Sequence, residues 1–291
     1  MSVSRPTRCL FATDLHGSEQ RYRKLVEAIA ERRPDLVFLG GDLMPLGMLE
    51  SASGSVHDDF INDFLAVELQ RLKHAIGLAY PQIFAILGND DARFEEAAVL
   101  DVAARGLWHY AHNRRVTVRE FDVFGYCFVP PTPFLLKDWE RYDVSRYVDP
   151  GCVSPEEGFR TVPVSESEIT YATIQDDLAA FTGDRDLSRS VFLFHAPPYK
   201  STLDRAALDG KMVDHVPLDV HVGSIAIARF IEARQPLVTM HGHIHESARL
   251  TGSWRDAIGR THMLGAAHDG PELALVSFTL EDPATATREL L

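Results

Sequence analysis

Five short apolar runs in this chain each stop at Asp, His or Asn, and that recurrence constrains the fold more than any other feature. Arg8 to Thr13 ends at Asp14 and His16, Leu36 to Leu39 at Gly40, Gly41 and Asp42, and Gln82 to Leu87 at Gly88, Asn89 and Asp90. Val191 to Phe194 ends at His195, and Pro236 to Met240 runs directly into His241, Gly242, His243 and His245. Short apolar runs closed by Gly and polar groups read as buried strands. In sheets packed against helices, residues at the carboxyl ends of separate strands converge on one crevice.

Helical patterns fill the intervals. Ser18 caps a helix whose Tyr22, Leu25, Val26 and Ile29 form an apolar face, closed by Pro34. Met44 to Val56, rich in Gly, Ser and Met, reads as a loop, and Asp58 to Ala79 as a long helix. Val116 to Val118 and Val123 to Val129 read as a hairpin, after which Pro130, Pro131 and Pro133 open an irregular stretch to about Pro163. Ser165 with Glu168 forms a capping box before a helix from Ile169 to Phe181, and Gly223 with Ser224 opens a helix from Ile225 to Ala233. Thr261 to Leu264 and Leu273 to Thr279 supply further strands. Strand–helix alternation in the first half predicts parallel βαβ units, whereas the later strands, with fewer helices between them, are expected to pair antiparallel.

With 45% hydrophobic and 24% charged residues, the chain has the balance of a soluble globular protein able to bury a full core. We expect one layered α/β domain over 1–291, with the 130–163 stretch as a substrate-shaping insertion carrying Trp139, Tyr142 and Tyr147. The formal charge of -13 repels polyanions, so long nucleic acid is disfavoured as a partner. Cys9, Cys127 and Cys152 form neither a CxxC pair nor an even disulfide framework, and no apolar segment has signal-peptide or membrane-span length. A cytoplasmic setting and no membrane partner are the expectation.

Asp14, His16, Asp42, Asn89, His195, His243 and His245 together mix carboxylate, amide oxygen and imidazole, a set that suits Mn, Fe, Zn or Ni. Seven such residues exceed what one catalytic zinc takes and favour two ions sharing a carboxylate. Two cations about 3.5 to 4 Å apart acidify a bridging water and clamp a phosphoryl group for in-line attack by the resulting hydroxide.

The ordered set Asp14-Leu-His16, Gly41-Asp42, Gly88-Asn89, His195 and Gly242-His243-Ile-His245 resembles the five motifs of the calcineurin-like metallophosphoesterases. His195-Ala-Pro-Pro and His221-Val-Gly-Ser further resemble small prokaryotic members. The resemblance implies a β-sandwich core flanked by helices. It also implies two transition-metal ions, with manganese ahead of iron, zinc or nickel. Asp14, His16 and His245 would hold one metal, Asn89, His195 and His243 the other, and Asp42 would bridge them. Most catalytic members carry a His directly after the motif Asn, where this chain has Asp90; the general-acid role of that His does not transfer, and Asp90 stands as a catalytic candidate that orients other groups.

Taken singly, each of these residues has a plainer reading: Asp14 or Asp42 as a turn residue, His195 as an ordinary strand-end histidine. The ordered set reverses those odds. Arg93, Tyr199 and Lys200 follow ligand motifs and are candidates to bind the phosphate or a substrate ring, against the commoner reading of exposed charge. His241 stays outside the site. The implied activity is hydrolysis of a small-molecule phosphodiester or phosphomonoester. The competing classes are a metal-holding scaffold with decayed chemistry, favoured by Asp90, and a nuclease, opposed by the acidic balance.

Overall fold

The computed structural model describes residues 5–45 and 59–291. The expected loop from Met44 to Val56 and the start of the helix at Asp58 lie largely outside these residues, as does His57.

The chain opens with β1 (Arg8–Ala12), α1 (Glu19–Arg32) and β2 (Leu36–Gly40). Ser18 caps α1 by accepting from the Arg21 N–H, and Arg33 closes it in the left-handed region. A π-helical turn over Phe60–Leu65 runs into α2 (Ala66–Ile76), then β3 (Gln82–Ile86), α3 (Glu96–Ala104) and β4 (His109–Tyr110). The strands β1 to β4 are parallel neighbours, as the βαβ reading requires. On the far side, β13 (Ala274–Thr279) pairs antiparallel with β1, and β14 (Asp282–Leu290) with β13.

The second six-stranded sheet runs β11-β12-β10-β7-β6-β5. Its members are β5 (Arg115–Val118), β6 (Phe121–Tyr126), β7 (Ser190–Phe194), β10 (Val238–His241), β11 (Arg255–Ile258) and β12 (Thr261–Gly265). The hairpin β5–β6 is antiparallel as expected. The expectation of antiparallel pairing among the later strands holds for β13 and for β12 with β11, and is corrected for the centre of this sheet, where β6, β7, β10 and β12 are mutually parallel. The reason is that α4 (Glu166–Tyr171) and α5 (Ile174–Thr182) cross between β6 and β7, while α6 (Ile225–Arg234) crosses between β7 and β10. Within this sheet antiparallel pairing is confined to its two edges, and a small separate hairpin pairs β8 (Met212–Val213) with β9 (Val216–Pro217). Last, α7 (Ser247–Thr251) follows the terminal histidine motif.

A second correction concerns the helix expected over Ile169 to Phe181. Ser165 caps the helix by accepting from Glu168 N–H, while the Glu168 carboxylate pairs with Arg141, and the helix breaks at Ala172. The amides of Ile174 and Gln175 donate to the carbonyls of Tyr142 and Asp143, and Thr173 caps a fresh helix. Long-range partners take the N–H groups a continuous helix would have used.

Both sheets contribute to one apolar core, in which β2 and β7 are buried along their whole length. A mixed α/β sandwich flanked by helices results. Within it, the carboxyl ends of β1, β2, β3, β7 and β10 open on one crevice. Among the described residues no helix is long and apolar enough to cross a membrane.

Candidate metal centre

The loops leaving β1 and β2 run side by side, Asp14 N–H donating to Gly41 O at 3.0 Å and His16 N–H to Asp42 O at 2.9 Å. Held in this way, Asp14, His16 and Asp42 adopt left-handed φ values of 55°, 44° and 50°, and His243 one of 74°. Such conformations cost non-glycine residues about 1–3 kcal/mol each and cluster at functional sites. Carboxylates stitch the remaining loops: Asp14 accepts from His243 N–H at 3.0 Å, and Asp42 accepts from Asp90 N–H at 2.9 Å. Glycine is required at Gly88, where a Cβ would lie 2.2 Å from Asp42 Oδ1.

The structure brings all seven sequence-predicted ligands to this crevice. Asp14, His16, Asp42 and His245 form one group, and Asp42, His195 and His243 a second, with each group's ligand atoms within 4.8 Å of one another. Asp42 belongs to both. His245 Nε2 lies 3.1 Å from His16 Nε2 and 3.3 Å from Asp14 Oδ1. His195 Nε2 lies 3.2 Å from Asp42 Oδ2 and 3.1 Å from Asn89 Oδ1, which adds Asn89 to the second group. The Gly40 carbonyl accepts a hydrogen bond from His195 Nδ1–H at 2.8 Å, which leaves Nε2 to face the cluster.

The electrostatics of the pocket ask for cations. Burial alone would lower the imidazoles, yet facing Asp42 pushes His195 up to about 10, and bonding to Asp14 pushes His245 up to about 9. Burial, with the Asp42 charge next, pushes Asp90 up to about 7. The buried carboxylates therefore recruit positive charge, which protons or metal ions satisfy. His16 Nδ1 is buried without a hydrogen-bond partner, and its ring closes on His245 edge to face. Converging oxygens and imidazole nitrogens of this mixture fit transition-metal ions.

The other sequence candidates sit differently. Asp90 accepts from the Asn89 amide at 2.9 Å and lies 3.8 Å from His16 Nδ1, at the edge of the cluster. The Arg93 guanidinium lies over the Trp139 ring and 3.7 Å from Glu96. The Tyr199 hydroxyl donates to Asp219, and the Lys200 ammonium lies over the Tyr199 ring. His241, buried, is held by Ala196 O and Thr239 Oγ1 and stacks on Phe194, a core role. Sequence reading passed over Asp91. Its buried carboxylate accepts from the N–H groups of Leu43, Met44 and Gly88, tying the Asp42 loop to the Asn89 loop. A second Asp directly after a ligand motif was the available signal.

A family model described as calcineurin-like phosphoesterase matches residues 7–247. One crystal structure aligns over 98% of this chain and 99% of its own at 17% identity, with TM-score 0.60. The TT1561 protein of Thermus thermophilus aligns over 98% and 99% at 15% identity, with TM-score 0.56. A dimetal phosphatase from Danio rerio aligns over 94% and 93% at 13% identity, with TM-score 0.53. These likenesses establish the fold. No curated protein matches the chain by sequence.

Proposed function

The chain belongs to the calcineurin-like phosphoesterase family, and from that membership we propose that it hydrolyses a phosphodiester or phosphomonoester of a small molecule at a two-metal centre. The observation that carries the two-metal reading is that Asp42 lies in both ligand groups. Asp14, His16 and His245 would hold one ion, and Asn89, His195 and His243 the other, with manganese first among the candidates. When bound, such a pair acidifies a water and neutralises the charge on the phosphoryl group.

The chain's own residues supply the rest. His195, oriented by Gly40 O, presents a lone pair only if its Nε2 is unprotonated, so metal loading releases a proton. Asp91 holds two ligand loops in register. The 130–163 segment is proposed to shape access, because Asp138 accepts from Arg93 N–H and Thr161 Oγ1 from Phe94 N–H, which anchors the segment to the loop that carries Asn89. Free thiols at Cys9, Cys127 and Cys152 accord with a reducing, cytoplasmic setting.

Hydrolysis of bis-p-nitrophenyl phosphate with added Mn²⁺ tests this reading, with Asp14→Ala as the matched control. Metal-dependent turnover in the unaltered protein and none in the variant is expected. Full metal content and turnover in Asp14→Ala would refute the site, and two bound metals without turnover would favour a metal-holding scaffold.

A further inference from the structure

We propose that His221, oriented by the buried carboxylate of Asp204, donates the proton to the leaving alcohol; this rests on the phosphoesterase reading and adds to it a catalytic residue. Asp204 is fully buried and accepts from the N–H groups of Lys200 at 2.8 Å, Ser201 at 3.1 Å and Gly223 at 3.2 Å. Its Oδ1 takes His221 Nδ1 at 2.8 Å. The imidazole is 29% exposed, and its Nε2 has no hydrogen-bond partner among the described residues. A carboxylate fixed in this manner sets the ring's orientation and tautomer and leaves Nε2 outward, the geometry of a general acid.

Backbone contacts tie the pair to both histidine-bearing loops of the metal crevice, and in the proposed arrangement His221 sits at its rim. The loop that bears Asp204 leaves β7 through His195, and the Pro197 carbonyl accepts from Ser224 N–H at 2.8 Å, three residues after His221. At its other side the same loop is latched to the terminal histidine motif, where Ala207 N–H donates at 2.9 Å to Glu246, the neighbour of His245. Ala206 N–H donates to Val220 O, and Arg205 pairs with His221 as an isolated bridge. The neighbouring Tyr199 hydroxyl is committed, donating to Asp219 at 2.6 Å. The charged or titratable groups facing His221 are Asp204, Asp219, which accepts its N–H at 2.9 Å, and Tyr199, whose ring meets it edge to face.

The step balances with one water. Its oxygen bonds to phosphorus, the bond from phosphorus to the leaving oxygen breaks, and that oxygen keeps the electron pair and takes the proton from His221 Nε2. The proton released by the water restores His221 through solvent.

Mn²⁺-supplemented protein and His221→Asn should be compared on methyl aryl phosphates whose leaving groups are p-nitrophenol and phenol. Loss of a general acid predicts a fall in kcat/KM of about 10²–10⁴-fold on the phenyl ester but under about tenfold on the p-nitrophenyl ester. Metal content should be unchanged, Asp204→Asn should give the same pattern, and imidazole should partly rescue His221→Gly on the phenyl ester alone. Equal losses on both esters, or none on either, would overturn the proposal while leaving the phosphoesterase reading intact. Absence of metal-dependent turnover of the p-nitrophenyl ester by the unaltered protein would overturn that reading and this proposal together.

Discussion

Asp91 shows how much of the site rests on side chains that need not touch metal. Its carboxylate takes N–H groups from Leu43, Met44 and Gly88, so the Asp42 and Asn89 loops share one buried acceptor. Asp91→Asn places an amide NH₂ among those donors. We predict a loss of about 1–3 kcal/mol in the urea unfolding of the metal-free protein, together with a 10- to 100-fold weaker metal affinity, roughly the effect of losing a ligand's support. An unchanged unfolding midpoint and affinity would remove this role. The seven candidate ligands could be picked out in the sequence because carboxylate, imidazole and amide reveal their chemistry by residue type. Their left-handed backbones and the orientation of His195 could not, since these depend on contacts such as Asp14 N–H with Gly41 O and His195 Nδ1 with Gly40 O, 155 residues apart in the latter case.

Among the elements, α1 and β1 to β3 were readable from apolar runs and caps, because each buries a face its own sequence defines. β14 was not. Its Thr- and Ala-rich sequence alternates weakly, and its register comes from pairing with β13, with an irregularity between Ser277 and Thr279. The break between α4 and α5 was hidden for the same reason, since Tyr142 and Asp143 impose it from outside the helix. Thr173 Oγ1 accepts from Asp176 N–H at 3.0 Å, so Thr173→Ala should destabilise the fold by about 1 kcal/mol, seen as a lower Tm, while Thr173→Ser retains most of the stability. Equal Tm for all three proteins would show that the cap contributes nothing.

At the scale of the whole molecule, the join between the sheets and the 130–163 segment carries an acid sensitivity. His112 packs against Tyr126, Phe128 and Trp139 and accepts Cys127 N–H at its Nδ1. Desolvation, reinforced by the charges of Arg93 and Arg141, pushes it down to about 3. In the unfolded chain it protonates near about 6.5. The stability associated with keeping His112 neutral is therefore complete above pH ~6.5 and is lost as pH falls toward ~3, by up to about 1.4 kcal/mol per unit. Unfolding free energies of the unaltered protein and His112→Asn, measured from pH 7.5 to 4.5, should show the shallower acid decline in the variant. Parallel curves would refute the assignment.

The central claim is that one carboxylate, Asp42, joins two metal ions in a single crevice. Its Oδ2 lies 3.2 Å from His195 Nε2 and 3.9 Å from His16 Nε2, within reach of both ligand groups. Metal content of Mn²⁺-loaded protein by inductively coupled plasma mass spectrometry, set against Asp42→Ala, tests this directly. Two ions per chain, falling to one or none in the variant, is the predicted result. A single ion in the unaltered protein, or two retained without Asp42, would contradict it.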